Sequence, residues 1–341
     1  MSRGGRLLRF LVVVAVLGGA AALGGFYYLH SIGLWGASTP HGSATVRIPQ
    51  GASGGDIAEL LESSGVVSSA LGFRLALNLE GGAEDIQAGR YKLARGLSAR
   101  AALRALLEGP EQRYVTVTFP EGSWLEDFAA RLGEVTDISG RRFMKVATSG
   151  SLRSELQPEG VDSLEGLLWP STYQVVAKDD ALSVAERMVK EFERRASAVD
   201  FSHVEKTGVN AYEAVIVASM VEAEAMLDSE RPKIARVIYN RLQDGIPLGI
   251  DATVNYALGE HKRELTESDL AVDSPYNTRR VAGLPPTPIG APGLASLEAA
   301  ARPAEGEWLY YVLKNCRGAH AFSVDYNDFL EDKAAYQELS C

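Results

Sequence analysis

The chain has 341 residues, an ordinary globular composition and a formal net charge of -10 at neutral pH. This length allows two domains or one large domain with a real core, and the negative charge argues against a nucleic-acid surface. The two cysteines, Cys316 and Cys341, are too few for a disulfide scaffold or a metal site, and the five histidines lack ligand spacing. We therefore expect no metal cofactor, and the two cysteines can form one disulfide or remain thiols.

The N-terminus predicts a single membrane-spanning helix. Residues 1–9 carry three arginines and no acid, and residues 10–29 then run for 20 residues without a charge, which matches the thickness of a bilayer core. The arginines predict a cytoplasmic N-terminus and place the rest of the chain outside the cytoplasm. Aromatic residues end the run where a signal peptide would have small ones, so we favour an uncleaved anchor over a cleaved signal peptide. Residues 30–43 are a predicted linker.

Residues 44–112 predict a small α/β module. Its elements are a strand at 46–48, helices at 56–63 and 69–79, a strand at 90–93 and a helix at 98–107. Strand–helix–helix modules of this size resemble the LysM type, which binds N-acetylglucosamine of cell-wall glycans; a simple spacer is the alternative. The opening strand, turn and helix recur at a constant offset in residues 117–132, which indicates a second related unit. We assign 113–341 to a mixed α+β catalytic domain.

The candidate catalytic residue is Glu222. A predicted helix at 211–226, capped by Asn210, is apolar almost throughout until Glu222 interrupts it. Glu222 lies on the same stripe as Val215 and Ala218, so we expect apolar surroundings that raise its pKa, as a general acid requires. The alternative is that Glu222 faces water at the helix end. Glu224 lies about 200° away and is expected to be exposed or bonded to a neighbouring loop.

A second helix is predicted from a Ser229 cap to Asp244, followed by a segment that is mostly turns as far as Gly293. Irregular loops beside a packed helix commonly carry binding residues. The polar groups that these loops supply, and that suit sugar hydroxyl and N-acetyl groups, are Asp251, Thr253, Tyr276, Asn277 and Thr278.

Seven motifs occur in the same order as in the endolytic murein transglycosylases, the MltG family, which this chain resembles. They are Glu165-Gly…Trp169-Pro-Ser-Thr-Tyr173, Ala218-Ser-Met-Val-Glu222-Ala-Glu224, Val237-Ile-Tyr-Asn240-Arg241-Leu, Asp251-Ala-Thr-Val254, Tyr276-Asn-Thr278, Gly283-Leu-Pro-Pro286 and His320-Ala-Phe322. The anchor followed by a LysM-like module also resembles that family. The match covers essentially the whole chain from Arg3 onward.

The resemblance implies a single-pass enzyme of the inner membrane that cuts nascent peptidoglycan strands internally and so ends their elongation. It implies partners among the peptidoglycan synthases, no cofactor, and Glu222 as the catalytic glutamate. The chain departs from the family at three positions: Ala223 stands where Lys is usual, Gly249 where Gln is common and Ala252 where Pro is found. The missing Lys puts in doubt any charge partner for the acids.

Enzymes of this family break the bond between N-acetylmuramic acid (MurNAc) and N-acetylglucosamine (GlcNAc) without water. The muramyl 6-hydroxyl attacks its own anomeric carbon and leaves a 1,6-anhydro end, so one carboxyl group can act as acid and then as base. The helix offers Glu222 no carboxyl partner, which agrees with such a reaction. Two alternatives stay open: a lysozyme-type muramidase with Asp251 as second carboxylate, and a non-catalytic peptidoglycan-binding scaffold.

Overall fold

The computed structural model describes residues 3–31, 33–34, 40–110 and 114–339. The N-terminal helix α1 (Arg3–Ser31) contains the whole predicted span and ends two residues after it. Its segment Leu11–Ser31 has a mean hydropathy of 1.9 and is long and apolar enough to cross a membrane. None of that span is buried against protein, so α1 has the length, composition and exposure of an anchor or a signal sequence rather than of a core helix.

The chain divides into two compact units, residues 1–113 and 114–341. Beyond α1, the first unit contains β1 (His41–Ile48), α2 (Gly54–Ser63), α3 (Ala70–Glu80), β2 (Gly89–Arg95) and α4 (Ala99–Leu107). The strands β1 and β2 pair antiparallel with Val46 opposite Tyr91, and both side chains enter the core of the unit. The predicted elements of this unit are confirmed, and its likeness to LysM stays a prediction.

The second unit is a mixed α+β structure built around helices. Its elements are β3 (Tyr114–Thr118), α5 (Leu125–Val135), α6 (Gly140–Thr148), β4 (Thr172–Val176), α7 (Ala181–Ala196), α8 (Ala211–Glu224), α9 (Arg231–Gln243), α10 (Asp251–Leu258), α11 (Glu267–Leu270), α12 (Leu294–Ala301), β5 (Tyr310–Leu313), β6 (His320–Ser323) and α13 (Tyr326–Gln337). The strands form two antiparallel pairs, β3 with β4 and β5 with β6.

The predicted recurrence of strand, turn and helix is present in both units. In the first unit β1 leads through a turn at 49–51 to α2, and in the second β3 leads through a turn at 120–122 to α5. A capping box starts α2, in which Ser53 and Asp56 satisfy each other's backbone N–H groups. The repeat is local, because β1 and β3 pair with strands of their own units.

Helix α8 is the centre of the second unit. The Asn210 side chain accepts a hydrogen bond from Glu213 N and begins the helix as predicted. Its residues 214–221 are all buried, because α9, α10 and α12 pack around it. The helix is therefore enclosed on every side and has no single apolar stripe. It ends at Glu224, two residues before the predicted end, since Ala225 adopts an extended backbone.

Two details of the sequence predictions in this unit are wrong. The segment 246–293 is mostly turns, as predicted, but it also contains α10 and α11, and Asp251 and Thr253 therefore lie on a helix and not in a loop. Helix α10 has only eight residues, too few to show a clear period, although Asp251 in its first turn and Gly259 after its end are helix signals. Ser229 does not cap α9; it lies in a short 3-10 helix, and Glu230 occupies the cap position.

Gly166 fixes the motif that begins at Glu165 against a distant loop. Its φ is +73°, and a Cβ there would lie 2.7 Å from Cγ of Pro288 and 3.1 Å from the carbonyl oxygen of Gly290. Only glycine meets both the backbone conformation and the close approach. The same loop donates its Ile289 N–H to the Ser219 hydroxyl on α8, at 3.0 Å. The loop at 288–290 thus connects the segment around Gly166 to α8.

We expect Gly166→Ala to destabilise the protein by about 3 kcal/mol, because a left-handed backbone costs an alanine roughly 1–2 kcal/mol and the contact with Pro288 adds a packing cost of similar size. Gly160→Ala is the matched control, since Gly160 has a φ of +83° with open space around its Cβ position. Urea unfolding of the full chain in detergent measures both changes. Equal losses for the two variants would contradict the close packing at Gly166.

Candidate active site

Glu222 lies in the last turn of α8, where the fold brings a loop and another helix onto it. One turn earlier, the Ser219 hydroxyl donates to the Ile216 carbonyl at 2.7 Å and accepts from Ile289 N. This pair of bonds fixes the loop that leads into α12. The N-terminus of α12 consequently meets the side chain of Glu222.

The carboxylate of Glu222 accepts hydrogen bonds from three directions. Gly293 N–H and Ser296 O–H each donate to Oε2 at 2.9 Å, and Nη1 of Arg231 lies 3.1 Å from Oε1. Arg231 also donates to the Ser296 hydroxyl at 2.5 Å, so guanidinium, hydroxyl and carboxylate form a continuous chain. A negative group at a helix N-terminus is favoured by the free N–H groups and by the helix dipole.

Neither expectation for the surroundings of Glu222 is correct. The side chain is only 9% exposed, so it does not simply face water. It is not in apolar surroundings either, because both carboxylate oxygens have polar partners. The stripe argument used only the residues of α8, whereas the partners come from α9 and the start of α12.

Arg231 is held in place by residues that surround the start of α9. Its Nε donates to Asp228 at 3.0 Å, and its side chain is 10% exposed. Next to it, Glu230 accepts from the backbone N–H of His320, and the imidazole Nδ1 of His320 lies 2.8 Å from Glu230. The motif residue His320 therefore ties β6 to the start of α9. Because Glu230 precedes Arg231 in the chain, this contact helps to fix the backbone at Arg231.

A second carboxyl group, that of Glu121, lies beside Glu222. A Cβ placed on Gly293 would lie 2.6 Å from Oε2 of Glu121 and nearer still to Oε1, so Glu121 faces the residue that donates to Glu222. Burial raises the pKa of Glu121, and the negative charge of Glu222 raises it further, whereas Arg231 lowers it. Sequence reasoning missed this residue, although it stands in the recurring Phe119-Pro-Glu-Gly122 turn.

Glu224 points away from Glu222 and belongs to another cluster. Tyr311 on β5 donates its hydroxyl to Glu224 at 3.0 Å, which confirms that Glu224 is bonded to a neighbouring segment. Burial raises the pKa of Glu224 to about 7, and the charge of Asp251 adds to the rise. Asp251 itself is 56% exposed and forms an ion pair with Arg279 at 2.5 Å.

Three of the five predicted substrate-binding residues are buried and bonded to protein atoms. The hydroxyls of Thr253 and Thr278 lie 2.8 Å apart, and Ile250 N–H donates to Thr278. The Asn277 amide donates to the carbonyls of Leu270 and Val272. These bonds join the start of α10 to the loop around residue 277. In this position the three side chains can shape the site by holding its loops, and direct sugar binding by them stays a prediction.

The other two predicted residues have bonding partners different from those of the two threonines. Asp251 begins α10 and is paired with Arg279, as described above. The hydroxyl of Tyr276 lies 2.8 Å from that of Thr287, and its half-buried ring packs 4.8 Å from the ring of Tyr256. Direct contact of Asp251 or Tyr276 with substrate also stays a prediction.

Glu165 is a buried acid that forms no ion pair with any residue that the structure describes. Its Oε2 accepts from Tyr256 O–H at 2.9 Å and from Leu125 N–H at 3.2 Å, and the residue is 1% exposed. Burial raises the pKa of Glu165 to about 8, although both hydrogen bonds act in the opposite direction. Glu165 therefore joins the N-terminus of α5 to α10 as a largely protonated acid at neutral pH.

Within the described ranges, no group of three or more His, Cys, Asp or Glu side chains is arranged to hold a metal ion. The described part of the chain contains no free cysteine, and Cys341 lies outside it. The chemistry available at the site is that of carboxyl groups, a guanidinium group and a helix N-terminus.

Comparison with known proteins shows the family of the chain. The model of the YceG-like family matches residues 46–335. An endolytic murein transglycosylase of Bacillus subtilis is 32% identical over 287 residues, which cover 80% of this chain and 79% of the relative. An endolytic murein transglycosylase of Streptococcus pneumoniae is 26% identical, and the matched region covers 94% of this chain but only 63% of that relative.

A crystal structure of a YceG-like protein from Listeria monocytogenes shares the fold, with a TM-score of 0.57 and 29% identity over 85% of this chain and 98% of that one. The family match and the B. subtilis relative are sufficient for assignment. The chain belongs to the YceG-like family, and the resemblance stated from its ordered motifs is confirmed.

Glu165 gives the stability of the protein a specific pH dependence. Its pKa is about 8 in the folded state and about 4.5 when unfolded, so the folded state retains a proton that the unfolded state releases between these values. The free energy of unfolding should therefore fall as the pH rises from 5 to 8 and level off above, with Glu165 contributing on the order of 4 kcal/mol.

Glu165→Gln removes this contribution because the amide does not ionise, while its oxygen can still accept from Leu125 and Tyr256. We expect the free energy of unfolding of the variant, relative to that of the parent, to be higher at pH 9 than at pH 5. Chemical denaturation of both proteins at both pH values measures this difference. Glu159→Gln, at an exposed carboxyl in the loop between α6 and β4, is the control. A parent-to-variant difference that is the same at both pH values would contradict a protonated Glu165.

Proposed function

We propose that this chain is a membrane-anchored endolytic murein transglycosylase that cleaves MurNAc–GlcNAc bonds and leaves 1,6-anhydro-MurNAc ends. The observation that carries the proposal is the carboxyl group of Glu222, fixed by Gly293, Ser296 and Arg231 at the end of the central helix. The relatives from B. subtilis and S. pneumoniae are named endolytic murein transglycosylases, which supports the reaction class. Lytic transglycosylases act by proton transfer and need no cofactor.

In the proposed reaction the bond from the muramyl C1 to the leaving GlcNAc oxygen breaks, and a bond from C1 to the muramyl O6 forms. The 6-hydroxyl loses a proton and the leaving oxygen gains one, so no water enters the product. Glu222 is the carboxyl group that mediates this proton transfer. Its negative charge also stabilises the positive charge that develops at C1 in the oxocarbenium-like transition state.

The cellular role follows from α1 and from the family. We place α1 in the cytoplasmic (inner) membrane with the second unit outside the cytoplasm, where nascent glycan strands are made. Cleavage there ends strand elongation, and peptidoglycan synthases are the expected neighbours. The first unit, if it binds GlcNAc as LysM modules do, would hold a strand near the membrane. Asp251, Thr253, Tyr276, Asn277 and Thr278 remain the proposed substrate-binding residues, three of them through the loops that they fix.

A lysozyme-type muramidase is the second candidate, and one observation favours it. Hydrolysis with retention or inversion uses two carboxyl groups, and Glu121 places a second one beside Glu222. Asp251, the second carboxylate suggested by the sequence, is paired with Arg279. Mass spectrometry of the products distinguishes the reactions, because a reducing muramyl end is heavier by one water than an anhydro end.

We expect Glu222→Gln to lower the rate of strand cleavage by at least about 100-fold, since the amide cannot transfer a proton. The full chain in detergent is incubated with nascent, uncrosslinked glycan strands, and the release of anhydro ends is followed by mass spectrometry. Glu298→Gln is the control, because Glu298 is exposed on α12 two residues beyond Ser296.

Thermal unfolding establishes that the Glu222→Gln protein is folded. A folded variant that releases anhydro ends at the parent rate would remove Glu222 from the mechanism. Glycan binding without cleavage by the parent chain would instead support a scaffold.

A further inference from the structure

Backbone pairing brings Glu121 to Glu222. Gly122 N–H donates to the Ala291 carbonyl at 2.7 Å, and Ala291 N–H donates to the Ser123 carbonyl at 2.9 Å. These two bonds fix the turn after β3 against the loop that precedes α12. A Cβ on Gly122 would lie 4.0 Å from Cγ of Glu222, so the turn is in contact with the catalytic side chain.

Gly293 lies between the two carboxyl groups. Its N–H donates to Glu222, and its Cα faces the carboxyl group of Glu121 so closely that a Cβ at this position would displace that carboxyl group. Its φ of -79° is accessible to any residue, so the backbone itself tolerates a side chain here. The two glutamates thus approach one backbone position from different sides.

The two carboxyl groups differ in their partners. Glu222 accepts from a backbone N–H, a hydroxyl and a guanidinium, which are all donors to an acceptor carboxylate. Glu121 is exposed, and no hydrogen bond or ion pair joins its carboxyl group to any residue in the described ranges. Although the residue is exposed, partial burial of its carboxyl group raises the pKa of Glu121, as do the neighbouring negative charges of Glu222 and Asp228, against the effect of Arg231. These conditions favour a proton on Glu121.

We infer that Glu121 is a second catalytic residue, which donates the proton to the leaving GlcNAc oxygen while Glu222 accepts the proton of the muramyl 6-hydroxyl. This inference rests on the proposed function and divides its proton transfer between two groups. Two carboxyl groups whose surroundings differ in this way provide an acid and a base at one pH.

The proposed steps balance within the substrate and the two side chains. The Glu121 proton moves to the leaving oxygen as the bond from that oxygen to C1 breaks. The 6-hydroxyl proton moves to Glu222 as the bond from O6 to C1 forms. Transfer of this proton back to Glu121, directly or through water, restores the starting state, and no oxidant, metal or added nucleophile is required.

Glu121→Gln tests the donor role by a change of leaving group. On nascent glycan strands we expect the variant to be at least about 100-fold slower than the parent, as for loss of a general acid. A GlcNAc–MurNAc oligosaccharide with a 4-nitrophenyl group on its terminal MurNAc needs no acid, because nitrophenolate leaves unprotonated. On that substrate we expect Glu121→Gln to stay within a few-fold of the parent, whereas Glu222→Gln stays slow on both.

A second variant moves Glu121 without changing its charge. In Gly293→Ala the new methyl group would occupy the place of the Glu121 carboxyl group, whereas the N–H that donates to Glu222 remains. We expect the same pattern as for Glu121→Gln, slow on strands and restored on the nitrophenyl glycoside. Glu126→Gln is the control for both, as an exposed carboxyl five residues along the chain.

The inference is overturned if Glu121→Gln cleaves strands at the parent rate, or if it is slowed equally on both substrates. Thermal unfolding monitors folding, and since Glu121 has no bonded partner in the described ranges, its amide should not change the melting temperature. Release of reducing ends by the parent would overturn the transglycosylase proposal and, with it, the 6-hydroxyl step assigned to Glu222, whereas the leaving-group comparison would still report proton donation by Glu121. A parent chain that cleaves neither substrate would overturn both.

Discussion

The bond between the Glu222 carboxylate and the N-terminus of α12 is the interaction on which the site depends. A carboxylate that is 9% exposed needs partners for both oxygens, because an ionised group without them is costly to bury. Gly293, Ser296 and Arg231 supply those partners from α12 and α9. Since these two helices come from different parts of the chain, the position of Glu222 is fixed only when both of them are packed on α8.

The loop from residue 288 to 293 connects this bond to the rest of the fold. Ile289 binds Ser219 on α8, Ala291 pairs with the turn that carries Glu121, and Gly290 lies against Gly122. A Cβ on Gly290 would lie 2.7 Å from the carbonyl oxygen of Gly122, so the two backbones meet where a side chain would separate them. The distance between the backbone positions of Glu121 and Glu222 is consequently set by backbone contacts, which are less variable than contacts between flexible side chains.

Local patterns in the sequence predicted much of the fold and only part of the site. The capped, periodic segments at 98–107 and 211–226 became α4 and α8, because their caps and apolar residues are near neighbours in sequence. Helix α10 was missed because eight residues give too little periodicity. Glu222 was found as a polar interruption of an apolar helix, and the ordered motifs assigned it a role.

The environment of Glu222 could not be predicted in the same way. Its partner Ser296 is 74 residues away and Arg231 lies on a different helix, so no periodicity connects them. Glu121 was visible in a recurring turn, but only the pairing of Gly122 with Ala291 brings it to the site. Thr253, Asn277 and Thr278 show the converse. Their side-chain chemistry suits a sugar, yet the same groups satisfy buried backbone of α10 and its neighbouring loop.

The acids of the second unit also show why a perturbed pKa does not by itself locate a catalytic group. Glu165 and Glu224 have pKa values of about 8 and about 7, because burial dominates and each is bonded to a tyrosine hydroxyl, with no ion pair to the part of the chain that the structure describes. Both join segments of the fold, and Glu165 is closed to a substrate at 1% exposure. Glu121 has the smaller perturbation but is open to solvent and lies beside Glu222. Access and position relative to the reacting bond, rather than the size of a pKa shift, therefore identify the carboxyl groups that can act on a glycan.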